Sequence, residues 1–179
     1  MDTNRFGALA TLIEDRVKPA LGDVSHAEAA ALSALYFRPG IYANALPPLV
    51  GLCQPGVARM LRGLERRGYV RRRPAVGRVV PIELTEEGRE EVTRFHAARR
   101  DALNSLLAPL APEERRLLAA LADKLLQAAI PSRAEGRRTC RLCDYERCGE
   151  TGCPVEAKVD KVDGGVDWRG EYQNGRRPI

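Results

Sequence analysis

The sequence predicts a mainly α protein with a small β-wing, and three observations carry that reading. Apolar residues recur at helical spacing over most of the chain, one short segment reads as a hairpin, and arginines crowd around that hairpin. From Leu52 to Thr85 the chain runs LCQPGVARMLRGLERRGYVRRRPAVGRVVPIELT. Val57, Met60, Leu61 and Leu64 place one buried stripe on a helix, which turns Arg59, Arg62 and Arg66 the other way. Gly68 stops the helix, and Tyr69 and Val70 open an extended run that Pro74 and Gly77 interrupt and Val79 to Leu84 resume. Arg71, Arg72, Arg73 and Arg78 ride on this hairpin, with Glu65 and Glu83 as the only acids of the stretch. A helix fits the major groove of B-DNA, and a basic hairpin beside it reaches the phosphates or the minor groove. The stretch therefore predicts a winged helix-turn-helix that contacts double-stranded DNA. The competing reading is an amphipathic helix whose arginines only keep a surface wet.

A chain of 179 residues with 44% apolar composition suits one main core with appendages. The net charge of +5 is modest, but clustered arginines favour an anionic macromolecular partner. Acids interrupt the apolar run of MDTNRFGALATLIEDRV, so no signal peptide or membrane span is read, no membrane partner is expected, and the cytoplasm is the expected compartment.

Five segments follow in order. Residues 1–24 form an N-terminal dimerisation helix from about Thr3 to Lys18, striped by Phe6, Leu9, Leu12, Ile13 and Val17 and stopped by Pro19 and Gly22. Residues 25–85 form the winged helix-turn-helix domain. Ser25 and Glu28 make a capping-box pattern for a helix buried through Ala29, Leu32, Leu35 and Tyr36, with His26 solvated in its first turn. Ile41 reads as a short strand against the wing, and residues 44–50 as the first helix of the helix-turn-helix, with Gly51 in its turn. Pro47 and Pro48 require either a late start, with both in the first turn, or a kink. Residues 86–131 form the C-terminal dimerisation helices. Thr85 caps the first, with Glu86 and Glu87 in its opening turn and Val92, Phe95, Leu103, Leu106 and Leu107 on its apolar side; His96 reads as polar surface. Pro112 opens the second, which carries Leu117, Leu118, Leu121, Leu125 and Leu126. These outer helices offer more apolar face than the small core covers, so a second copy of the chain is the expected lid.

This order of elements resembles the MarR family of bacterial winged-helix regulators. The local matches are GLCQPGVARMLRGLERRGYVRR, ELTEEGRE and LAPLAPEERRLLAALADKLL, which together span roughly residues 3 to 130. The resemblance implies a two-fold homodimer on a pseudo-palindromic operator, often released by a small-molecule effector. It places Gln54, Arg59 and Arg62 at recognition-helix positions and Arg78 at the wing tip. The chain departs from the family pattern in Gly56 and Ala58, which stand where hydroxyl side chains are common, and in a shorter wing without the usual aspartate. Cys53 takes the usual serine position at the start of the recognition helix, as a possible redox thiol or as a small capping residue.

Residues 132–158 form a cysteine module. Cys140, Cys143, Cys148 and Cys153 follow the spacing C-x2-C-x4-C-x4-C, so all four sulfurs fall within one loop of fourteen residues that can close around a single ion, since Gly149 and Gly152 let the chain turn back. The spacing resembles a retroviral-type zinc knuckle with Cys148 in place of its histidine, and Cys153-Pro154 resembles the end of a ferredoxin-type ligand run. Such a set selects one metal centre, zinc first and an iron–sulfur cluster second; disulfides or a Cys140–Cys143 redox couple are the remaining readings. Residues 159–179 read as a flexible tail. No catalytic constellation appears, so the chain is not expected to be an enzyme. The expectation is a sequence-specific transcriptional regulator, a repressor, acting as a homodimer and modulated by a small ligand or by redox or metal state. The alternative is a thiol-redox or metal-dependent protein that uses its winged domain as a protein-docking surface.

Overall fold

The computed structural model describes residues 2–75 and 80–163. Helix α1 (Thr3–Val17) is capped by the Asp2 carboxylate, which accepts from the Asn4 N–H at 2.9 Å, and passes into a short 3₁₀ segment, Lys18–Leu21. Helix α2 (His26–Phe37) begins with the full Ser25/Glu28 capping box and is buried through its middle. After a 3₁₀ turn at Ala43–Ala45, α3 (Pro47–Val50) is a single turn. Its two prolines sit at the first helical positions, where their missing N–H groups have no intrahelical partner to lose, so the late start is the solution adopted. Gly51 turns the chain in the left-handed region (φ 71°) into α4 (Gln54–Arg66). The hairpin pairs β1 (Val70–Arg72) antiparallel with β2 (Ile82–Leu84), with Val70 opposite Leu84 and Arg71 opposite Glu83. Helices α5 (Glu86–Leu107) and α6 (Pro112–Ala129) follow.

The core gathers one face of each element of the winged domain. Leu32 of α2, Ile41, Leu46 before α3, Val57 and Leu64 of α4, Ile82 of β2 and Val92 and Phe95 of α5 are all fully enclosed. The expected strand at Ile41 is reduced to one bridge, Tyr42 to Pro81, because Pro81 has no N–H to extend a ladder and the chain turns into the 3₁₀ segment at Ala43. His96 is not surface: it is buried, its Nε2 sits 3.0 Å from the Ser33 hydroxyl, and its ring meets Phe37 edge-on at 5.5 Å. A polar residue in the first half of α5 is tolerated there because α2 supplies a hydroxyl partner.

Beyond Ile130 the chain is helical rather than one loop. It forms α7 (Arg133–Thr139), α8 (Tyr145–Thr151) and α9 (Pro154–Asp163). The tail expected from residue 159 begins later, since Val159 lies buried inside α9. Residues 164–179 lie outside the described residues. Ile130, Cys140, Val155 and Val159 form a second, small core, while Leu142 joins the main one.

Candidate nucleic-acid interface

Helix α4 is aimed by its buried stripe: Val57, Met60, Leu61 and Leu64 face the core, so Gln54, Arg59, Arg62 and Arg66 are exposed. Among the described residues none of these three arginines makes an ion pair. Cys53 is the N-cap, with extended backbone but no side-chain capping bond, and its thiol is exposed. The far end of α4 is fixed by a contact that sequence reasoning missed. Arg67 pairs with the Glu28 carboxylate and donates to the Asp23 carbonyl at 3.2 Å, so the capping acid of α2 also anchors the C-terminus of α4.

The hairpin arginines are placed differently. Arg71 and Arg73 both donate to Glu83, at 3.3 and 2.7 Å, and these guanidinium bonds hold its carboxyl below the usual carboxylate range, Arg73 first. Arg72 reaches Glu65 on α4 at 3.2 Å. Arg78, the expected wing-tip contact, lies outside the described residues. The hairpin base is locked to α5: Thr85 donates to the Gly68 carbonyl and accepts from the Gly88 N–H, while its own N–H donates to Tyr69 at 3.1 Å. A Cβ on Gly88 would stand 2.0 Å from the Tyr69 carbonyl oxygen, so only glycine admits this approach.

Three of the four C-terminal cysteines, Cys140, Cys143 and Cys153, pack in one small cluster with Ile130, Val155 and Val159. The thiols of Cys143 and Cys140, of Cys140 and Cys153, and of Cys153 and Cys148 are near enough to shift one another, and the backbone N–H groups of Val155 and Glu156 favour the Cys153 thiolate. The Cys140 S–H bond and those backbone donors bring the Cys153 thiol down to about 5; the Cys140 bond brings Cys143 to about 7. Burial and the neighbouring Cys153 push Cys148 up to about 12. The described residues contain no group of three or more His, Cys, Asp or Glu side chains already converged for a metal ion.

No family model matches the chain. Over 97 residues it is 32% identical to YdgJ of Bacillus subtilis (strain 168), described as an uncharacterized HTH-type transcriptional regulator; the match covers 53% of this chain and 59% of that protein. Rv2887 of Mycobacterium tuberculosis, a MarR family protein solved in complex with DNA, superposes with a TM-score of 0.58 at 25% identity, over 70% of this chain and 97% of its own. The fold is that of the MarR family. MepR of Staphylococcus aureus, a transcription regulator of the multidrug efflux pump MepA, gives a TM-score of 0.63 at 22% identity over 73% of this chain and 99% of its own. Thus MarR-fold proteins are matched almost end to end, while about a quarter of this chain lies outside each match. No helix among the described residues is long and apolar enough to cross a membrane.

Proposed function

We propose that the protein is a cytoplasmic, non-enzymatic DNA-binding transcriptional regulator, a repressor acting as a homodimer on a pseudo-palindromic operator. The observation that carries the DNA reading is the exposed α4 face, where Arg59, Arg62 and Arg66 project from a helix anchored at its C-terminal end and have no carboxylate among the described residues to satisfy them. Free guanidinium groups on an exposed helix suit base edges and phosphates. The relatives named above support the same reading: one is solved with DNA, and another is a transcription regulator.

The homodimer rests on apolar surface left open by a single chain. Phe6, Leu9 and Leu12 on α1 and Leu117, Leu121 and Leu125 on α6 are exposed, Leu117 to 62%. Such contiguous leucine faces are rarely left in water. Leu121→Glu is expected to give monomers that no longer hold a full operator, read by sedimentation and gel shift; an unaltered dimer would remove α6 from the interface. A small-molecule effector is proposed by analogy with Rv2887, solved with p-aminosalicylic acid, and MepR, solved with ethidium bromide. Titration of a duplex complex with aromatic acids and aromatic cations tests it.

A further inference from the structure

We propose that Cys140, Cys143, Cys148 and Cys153 take up one Zn²⁺ as a tetrathiolate site, whose occupancy sets how firmly α7 holds α3 of the helix-turn-helix. Cys140, Cys143 and Cys153 pack in one small cluster, and Cys148 is near enough to Cys153 for each to shift the other's thiol, so an ion has only to draw neighbouring sulfurs together. With Zn–S bonds of ~2.3 Å, the edge of the coordination tetrahedron is about 3.8 Å, the sulfur separation that binding has to impose. Binding exchanges the thiol protons for the cation: Zn²⁺ and four Cys–SH give a zinc tetrathiolate of net charge −2 and four H⁺.

The surroundings fit that anion. The Val155 and Glu156 N–H groups already face the Cys153 sulfur, and the buried Nε of Arg99, close enough to bias Cys143, has no hydrogen-bond partner. Arg38 and Arg137 line the adjacent cleft with Cys140 and Cys153.

The module also needs a staple. Three helices of 7, 7 and 10 residues share a small core in which Ile130, Cys140, Val155 and Val159 are buried and Leu126, Cys143, Tyr145 and Cys153 are partly buried against them. So little apolar burial does not hold helices this short, and a structural metal is the common remedy in small domains. Their packing is close: a Cβ on Gly136 of α7 would meet Val155 at 3.0 Å and Val159 at 3.2 Å.

This stapled unit is built onto the reading head. α7 packs against α3, Leu142 enters the main core, and Tyr145 lies 5.4 Å from the Phe37 ring with Arg38 4.8 Å over its face. Loosening the cysteines therefore loosens the support of α3. This second half of the proposal rests on the DNA-binding reading above; the zinc site does not.

The test uses the full chain, purified anaerobically, then stripped with chelator under reductant and titrated with Zn²⁺ or Co²⁺. Expected are one zinc per chain as isolated, and with Co²⁺ the strong visible bands of a tetrahedral site plus intense thiolate charge-transfer absorption. Cys148→Ser and Cys153→Ser should each reduce that charge-transfer intensity by about a quarter. Absence of both zinc and the cobalt bands in the wild type would overturn the site, as would iron with sulfide in cluster stoichiometry or an isolated Cys140–Cys143 disulfide. For the coupling, duplexes selected from a random pool by the zinc form should be bound at least about five-fold more weakly by the stripped form. Equal affinities overturn the coupling and leave the zinc site standing. Stoichiometric zinc with no DNA binding in either form overturns the DNA reading alone.

Discussion

Helix α4 and the hairpin carry the same side chain in similar number, yet they offer it to a polyanion on different terms. On α4 the core claims one face, and Arg59, Arg62 and Arg66 are left exposed without acids. On the hairpin the pleat puts Arg71 directly opposite Glu83, and Arg73, two residues on, shares the same carboxylate. Arg72 on the alternate face spends its charge on Glu65 of α4. A phosphate approaching the hairpin must displace a carboxylate, whereas one approaching α4 displaces only water and counterions. Positive charge counted along a sequence is therefore not the charge available to DNA.

The largest effect that would break this contrast is structural. Gly88→Ala drives a methyl into the Tyr69 carbonyl and should lower stability by on the order of 3 kcal/mol in urea unfolding, because the hairpin base has no room to shift from α5. A loss under about 0.5 kcal/mol would mean that the hairpin is not clamped as described. Next in size, Arg59→Ala and Arg62→Ala should each weaken duplex binding by about 1–3 kcal/mol, against a two- to three-fold change for Arg71→Ala. Equal losses in fluorescence anisotropy would erase the distinction between the two regions. Smaller again, Glu83→Gln frees two guanidinium groups and should tighten binding to any duplex about two- to five-fold with a steeper salt dependence. Weaker binding in that variant would show that Glu83 orients the arginines rather than occupying them.

The smallest effect concerns the helices that carry both regions. Burial holds the His96 pKa below 6.5, so in mildly acidic solution the unfolded chain binds a proton that the folded chain does not. Stability is present in full above pH 6.5 and declines as pH falls below it. Thermal melts between pH 7.5 and 5.5 should show this decline, and His96→Gln, which keeps a partner for Ser33, should flatten it.

Local pattern carried much of the fold because its signals are local. The capping box at Ser25 and Glu28, the stripe of α4 and the Thr85 cap each depend on spacing over a turn or two, and each is in place, whereas the choice between a late start and a kink at Pro47 was made only by the structure. The exposed α4 arginines were legible for the same reason, since a buried stripe fixes the opposite face. What spacing does not encode is which distant group a side chain meets. His96 looked polar until α2 brought Ser33 to it, sixty-three residues away. Glu28 gave no sign of reaching Arg67, nor Leu142 and Tyr145 of reaching the winged domain. The strand expected at Ile41 stopped at a single bridge to Pro81, and the tail expected at residue 159 became the end of α9, because Gly136 leaves space there for Val155 and Val159. Sequence alone determined the elements up to Ala129, apart from the strand at Ile41, and the charge each carries; tertiary packing decided the helices of the cysteine module and which charges are already neutralised, because ion pairs and burial join residues far apart in the chain.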